Sequence, residues 1–181
     1  MQPARNPKSK AARPARSSRP AGPTRPIPTA WIPLLHVEDD LNDRDLLQAA
    51  VSEAGVPFRV FSAIDAEMAM GYLSGAGIYS DRSRYPVPSL ILLDLKMRRV
   101  NGIEFLKWMR AQPDLAHCPV IVLSGSALEE DVRQVYACGA DAFIVKPLGF
   151  YALVELVNNL NFSWFVAPQN GPTETNRLFP V

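Results

Sequence analysis

The chain has 181 residues, 48% of them apolar, with 19 Lys/Arg against 18 Asp/Glu. That is enough apolar material for one domain with an ordinary packed core, plus tails. Residues 1–30 hold seven basic side chains (Arg5, Lys8, Lys10, Arg13, Arg16, Arg19, Arg25) and no acid, so the remainder carries 12 basic and 18 acidic groups, an acidic body that argues against nucleic-acid binding.

Residues 1–30 also contain seven prolines and almost nothing to bury, which predicts a disordered basic tail. Such a tail reads either as an arm for a partner or as a plain solvated extension. No apolar signal region and no stretch long enough to span a bilayer is present, so the expected location is cytoplasmic, away from membranes. Cys118 and Cys138 are too few for a disulfide framework or a zinc site, and read as buried thiols in a reducing compartment. His36 and His117 lack metal-ligand spacing, and His36, inside an apolar run, reads as a core residue.

In chain order, WIPLLHVEDD (31–40) is an apolar run ending in acids, a first strand. NDRDLLQAAVSEAG (42–55) repeats apolar residues at helical spacing, with Asn42 to cap its start and Gly55 its end. PFRVFSA (57–63) is a second strand and DAEMAMGYLSG (65–75) a second helix, followed by a long irregular connection over 76–88. SLILLDL (89–95) is a third strand, apolar on both faces, and IEFLKWMRAQ (103–112) a helix stopped by Pro113. PVIVLSG (119–125), EEDVRQVYACG (129–139), DAFIVKP (141–147) and FYALVELVNNLNFSWF (150–165) continue the alternation, and residues 166–181 form a C-terminal tail.

Near-continuous apolar strands separated by amphipathic helices predict a parallel sheet covered on both faces. For five such units the expected fold is an α/β, flavodoxin-like (βα)5 doubly wound sheet with strand order 2-1-3-4-5, joined by right-handed crossovers. Ligands of such sheets bind at the carboxyl ends of the strands, at the switch between strands one and three.

That edge collects Glu38 and Asp39 from strand one, Asp94 from strand three, Ser124 from strand four and Lys146 from strand five. Each has a bland alternative on its own: a lone acid after a strand is usually a cap or turn residue, and Lys-Pro usually a loop. Their convergence on one edge favours chemistry. Three clustered carboxylates repel unless a cation sits among them, and hard oxygen ligands with open positions suit Mg2+. With the cation bound, Asp94 stays ionised and can act as a nucleophile toward phosphorus. Lys146 and Ser124 can then stabilise the transferred phosphoryl group.

The blocks LLHVEDD, LILLDLKM, VIVLSGS and AFIVKP resemble the signature blocks of the bacterial response-regulator receiver domain, over residues 31 to about 165, with 30 residues from Asp94 to Ser124 and 22 more to Lys146. The long 74–88 connection and the FSWF ending resemble the stand-alone regulators paired with phytochrome-type kinases. The resemblance implies that Asp94 is the phosphoacceptor for a histidine kinase, with a bacteriophytochrome as candidate. Glu38, Asp39, Asp94 and the backbone carbonyl of Lys96 would ligate Mg2+, and Ser124 and Lys146 would hold phosphoryl oxygens. Phe143 would be the aromatic switch residue, turning inward as Ser124 moves; the alternative is a permanently packed core ring. Asp40 is assigned no ligand role.

Three positions depart from the family pattern. Arg98 stands where proline is usual, Lys96 where a smaller polar residue is common, and Asn101 where an acid usually precedes Gly102. Lys96 implies an altered phosphoryl lifetime, unless its side chain simply points to solvent. The implied function is a phosphorylation switch whose only catalysis is on itself, signalling through the fourth helix, fifth strand and fifth helix. A homodimer through that face is expected, anchored by Trp164 and Phe165, with the alternative that both fold back on their own domain. The competing function is a receiver-fold scaffold that works without phosphate. A hydrolase is disfavoured because residue 96 is lysine, not a proton-donating acid.

Overall fold

The computed structural model describes residues 30–97, 101–125 and 128–166. The two tails and Arg98 lie outside the described residues, apart from Ala30 and Val166 at the tail boundaries. Five parallel strands, β1 (Ile32–Val37), β2 (Phe58–Ala63), β3 (Leu90–Asp94), β4 (Val120–Ser124) and β5 (Ala142–Val145), form one sheet in the order β2-β1-β3-β4-β5. The helices are α1 (Leu41–Ala54), α2 (Ala66–Ser74), α3 (Gly102–Arg110), α4 (Glu129–Ala137) and α5 (Phe150–Asn161). The doubly wound order expected from the apolar alternation is the one observed.

Strand side chains alternate between two cores, as a period of two requires. Leu34, Leu90, Leu92, Ile121, Leu123 and Ile144 meet Leu47 and Val51 of α1 and Leu156 and Leu160 of α5. On the other face Leu35, Ile91, Leu93, Val122 and Phe143 pack with α2, α3 and α4 through Tyr72, Phe105, Met109 and Val135. Every residue of β3 and β4 is buried, which is why both strands read as continuous apolar runs. No helix among the described residues is long and apolar enough to cross a membrane.

Three local expectations change. The cap of α1 is Asp40, not Asn42: its carboxylate accepts the N–H of Asn42 at 2.7 Å and of Asp43 at 3.2 Å. Asp and Asn are near-equal caps, and here the acid one residue before the helix reaches both amides. The 76–88 connection is ordered by a 3₁₀ turn, Gly77–Ser80, and by Arg82. That guanidinium donates to the carbonyls of Tyr72 (2.8 Å), Leu73 (2.7 Å) and Tyr85 (3.3 Å), tying the connection to the end of α2. Finally, α5 ends at Asn161 and passes into a wider π turn, Phe162–Val166.

That turn decides the fate of the FSWF ending. Trp164 and Phe165 pack back against the α1/α5 core, and the Phe165 ring meets Phe58 edge-on at 5.6 Å. Both therefore pack, partly buried, on their own domain, as the alternative reading has it. Burial against Phe58 stabilises a ring more than solvent does, and the π turn supplies the change of direction.

Candidate functional site

Strand parity and register assemble the site. The register pairs Val37 with Leu93, so the next step past β1 sets Glu38 beside Asp94. Asp94 pairs with Leu123 and Ser124 with Val145, and the Lys146 N–H donates to the Ser124 carbonyl at 2.8 Å. Asp94 has the parity of Leu90 and Leu92, and Lys146 continues the parity of Ile144, so both start toward the α1/α5 side. Ser124 has the parity of Val122 and begins from the α3/α4 side; it is fully buried.

The Lys146 ammonium is the hub. Its Nζ donates to Glu38 Oε2 at 2.6 Å, Asp43 Oδ2 at 2.7 Å and Asp94 Oδ2 at 3.3 Å. The other Asp94 oxygen, Oδ1, accepts the backbone N–H of Lys96 at 3.1 Å. Glu38 is 1% exposed and also accepts the Asp40 N–H, while its own carbonyl accepts from the Arg44 guanidinium at 2.7 Å. Burial raises the Glu38 carboxyl above its ordinary value, against the opposing bond from Lys146. Burial by itself would depress the Lys146 ammonium, yet its bonds to Asp43 and Glu38 prevail and hold it above its usual range. His36 is 3% exposed, and burial, helped by Lys146, lowers it to about 3, so it is a neutral core residue as its apolar setting suggested.

One carboxylate oxygen from each of Glu38, Asp39 and Asp94 lies within 4.8 Å of the others. An octahedral hard cation with oxygens at about 2.1 Å would draw the three oxygens closer together. The donor set is all carboxylate, which suits Mg2+ or Mn2+ and not a soft metal. These residues fit the cation.

The end of β3 at Asp94 is held by a close approach. A Cβ on Gly102 would lie 2.6 Å from the Asp94 carbonyl oxygen and 2.9 Å from the Leu95 Cα, both backbone atoms that cannot rotate away. Gly102→Ala is therefore expected to destabilise the fold by about 2 kcal/mol and to weaken Mg2+ binding by displacing Asp94. Thermal melting and a Mg2+ titration of tryptophan fluorescence check both parts.

Asp43 is the site residue that sequence reasoning missed. It lies one turn before Leu47, on the stripe of α1 that Leu47, Ala50, Val51 and Ala54 bury. An acid on the apolar stripe, at the end of the helix nearest the strand termini, was the available signal. Phe143 is 8% exposed and packed in the α2/α3/α4 core, with its N–H donating to the Tyr136 hydroxyl at 3.2 Å. The inward rotation expected of it has no exposed starting point here; the ring is already inside. Both cysteines are partly buried, and burial pushes the Cys118 thiol up to about 11.

Fold and edge together define a class: a doubly wound receiver-type module with a three-carboxylate cluster at the strand ends and a lysine reaching across it. The profile of the response regulator receiver domain matches residues 34–158, and the chain belongs to that family, a response regulator of two-component signalling. It is similar to response regulator Rcp1 of Synechocystis sp. (strain ATCC 27184 / PCC 6803 / Kazusa), with 30% identity over 131 residues, 72% of this chain and 87% of Rcp1. Among solved structures it resembles the phosphorylated cyanobacterial phytochrome response regulator RcpA, with 31% identity and a TM-score of 0.70 over 78% of this chain and 100% of that one. The bacteriophytochrome response regulator AtBRR matches at 33% identity and a TM-score of 0.62 over 78% of this chain and 99% of that one. The Mn2+-bound form of Rcp1 matches at 28% identity and a TM-score of 0.66 over 78% of this chain and 99% of that one. The chain is thus similar to the phytochrome-associated response regulators.

Proposed function

We propose that the chain is a phosphorylation switch in which Asp94 takes a phosphoryl group from a phosphohistidine of a histidine kinase. The observation that carries this reading is the Lys146 ammonium joining Glu38 to Asp94 at 2.6 and 3.3 Å, beside the three-carboxylate cluster. A carboxylate oxygen of Asp94 attacks phosphorus, the P–N bond to the donor imidazole breaks, and the imidazole leaves with its electron pair. Lys146 and Ser124 hold the phosphoryl oxygens in place. Glu38, Asp39, Asp94 and the Lys96 carbonyl would hold Mg2+, which supplies positive charge for the incoming phosphoryl group. The chain's only catalysis is on itself.

The similar RcpA and AtBRR are a phytochrome and a bacteriophytochrome response regulator, and a kinase of phytochrome type is the partner we infer. Output would run through the α4–β5–α5 face of a homodimer. Tyr136, Val145 and Tyr151 are exposed there at 42%, 46% and 77%, so they, not Trp164 and Phe165, are the apolar contacts that face offers.

Mg2+ with beryllofluoride, a mimic of a phosphoryl group on a carboxylate, provides the test. Wild-type protein is expected to change its tryptophan fluorescence or oligomeric state on addition of both components. No response to the pair, with the kinase-binding surface intact in a pull-down, would instead establish the phosphate-independent scaffold.

A further inference from the structure

Lys146 has three N–H donors, and three carboxylates take them at 2.6, 2.7 and 3.3 Å. The longest of the three goes to Asp94, the group that receives the phosphoryl in the reading above, on which this inference rests. Glu38 and Asp94 belong to the three-carboxylate cluster, and Asp43 does not. Asp43 therefore contributes to the site through Lys146. It is also fixed in place: its own N–H is bound by the Asp40 cap at 3.2 Å, on the first turn of α1.

We propose that Asp43 is a positioning residue that shares Lys146 with Asp94, competing for its protons, and so sets the site's affinity for a phosphoryl group. The ammonium has no fourth proton to offer. To bind phosphoryl oxygens it has to release a carboxylate, and Asp43 is the partner that water most readily satisfies. Its side chain is 40% exposed, so water satisfies it once it is released, whereas Glu38 is 1% exposed and has no such recourse. Release of Asp43 also severs an ion pair between α1 and the segment after β5. The phosphorylated state then differs from the free state in how these two elements are tied, on the face opposite Phe143.

An exposed ion pair can also be energetically idle, and that alternative predicts no change in phosphoryl affinity when Asp43 is neutralised. Beryllofluoride affinity at saturating Mg2+ separates the two, because the metal step is then complete in every variant. Asp43→Asn is expected to bind beryllofluoride about fivefold more tightly than wild type, the scale of one screened charge interaction. Asp43→Glu, which keeps the charge, should stay within about twofold of wild type. Unfolding midpoints are measured alongside, since a merely structural contact would lower the midpoint and leave the affinity unmoved. Asp43→Ser serves as a second neutral variant if the Asn protein folds poorly. Equal or weaker binding by the neutral variants overturns the role of Asp43. Wild-type protein with no Asp94-dependent beryllofluoride binding overturns the phosphoacceptor reading itself, and this inference falls with it.

Discussion

Asp94→Asn is expected to abolish labelling by a phosphorylated histidine kinase while leaving the domain folded. The amide keeps an oxygen at the Oδ1 position, so the N–H of Lys96 retains its 3.1 Å acceptor. What disappears is the nucleophilic carboxylate and one negative charge beside Glu38, Asp39 and Asp43. The Lys146 contact that is lost is the longest of its three, 3.3 Å, and the two shorter ones remain. Relief of like-charge repulsion should outweigh that loss and stabilise the metal-free protein by about 1 kcal/mol. If the three-carboxylate site takes Mg2+ as proposed, the cation is expected to reverse the ranking, because it would bind the wild-type site more tightly and stabilise whatever it binds. Phosphotransfer assays and melts with and without Mg2+ read out both halves. Label retained on the Asn variant would move the acceptor to another side chain.

The fold was legible because β3 and β4 are buried on both faces and the helices are not. Continuous apolar runs such as LILL and VIVL have no other economical reading in a chain that alternates them with amphipathic segments. Strand-end residues were legible for the same reason: a charged group that stops a buried run marks the carboxyl edge. Contacts made by a helix to that edge were harder. Asp43 stands on the apolar stripe of α1, but its partner is set by how far Lys146 reaches from the end of β5, which pattern alone does not encode. The end of α5 was misjudged because apolar spacing continues through Phe162–Phe165 while the backbone widens into a π turn. Phe143 could be placed on a strand from sequence, but whether its ring lies in or out is a packing outcome, decided by the space between α3 and α4.

The site also has an energetic logic that follows from burial. Glu38 is nearly inaccessible and Asp94 is 6% exposed, so the sheet edge confines negative charge in a place of low polarity. Lys146 is what makes that arrangement tolerable without a metal. On the proposed function, the same ammonium would have to be shared between these carboxylates and the phosphoryl oxygens. Charge added at Asp94 would then reach every neighbour of Lys146, because all of them compete for the same three protons.

Lys146→Met tests that logic and should have a large effect on stability as well as on phosphorylation. Methionine preserves the apolar stem and removes the hub. Glu38 is left buried without its 2.6 Å partner, and a buried carboxylate stripped of its cation costs on the order of 3 kcal/mol. Protonation of Glu38 relieves part of this. Its carboxyl already lies above its ordinary value through burial, and losing the Lys146 bond raises it further. For an acid whose folded value exceeds its unfolded value, the favourable contribution is present below the unfolded value and lost as pH rises through the folded one. The stability gap between variant and wild type should therefore be small near pH 4.5, the unfolded reference, and widen toward neutrality. At neutral pH a net loss of about 2 kcal/mol corresponds to a melting point lower by roughly 4–8 °C. Millimolar Mg2+ should recover part of that loss by replacing the missing positive charge. Phosphorylation by a small-molecule donor should fall about a hundredfold, because a preorganised donor to the phosphoryl oxygens is gone. A variant whose melting point tracks wild type across pH would show that the Lys146 contacts with Glu38 and Asp43 contribute nothing net to the fold.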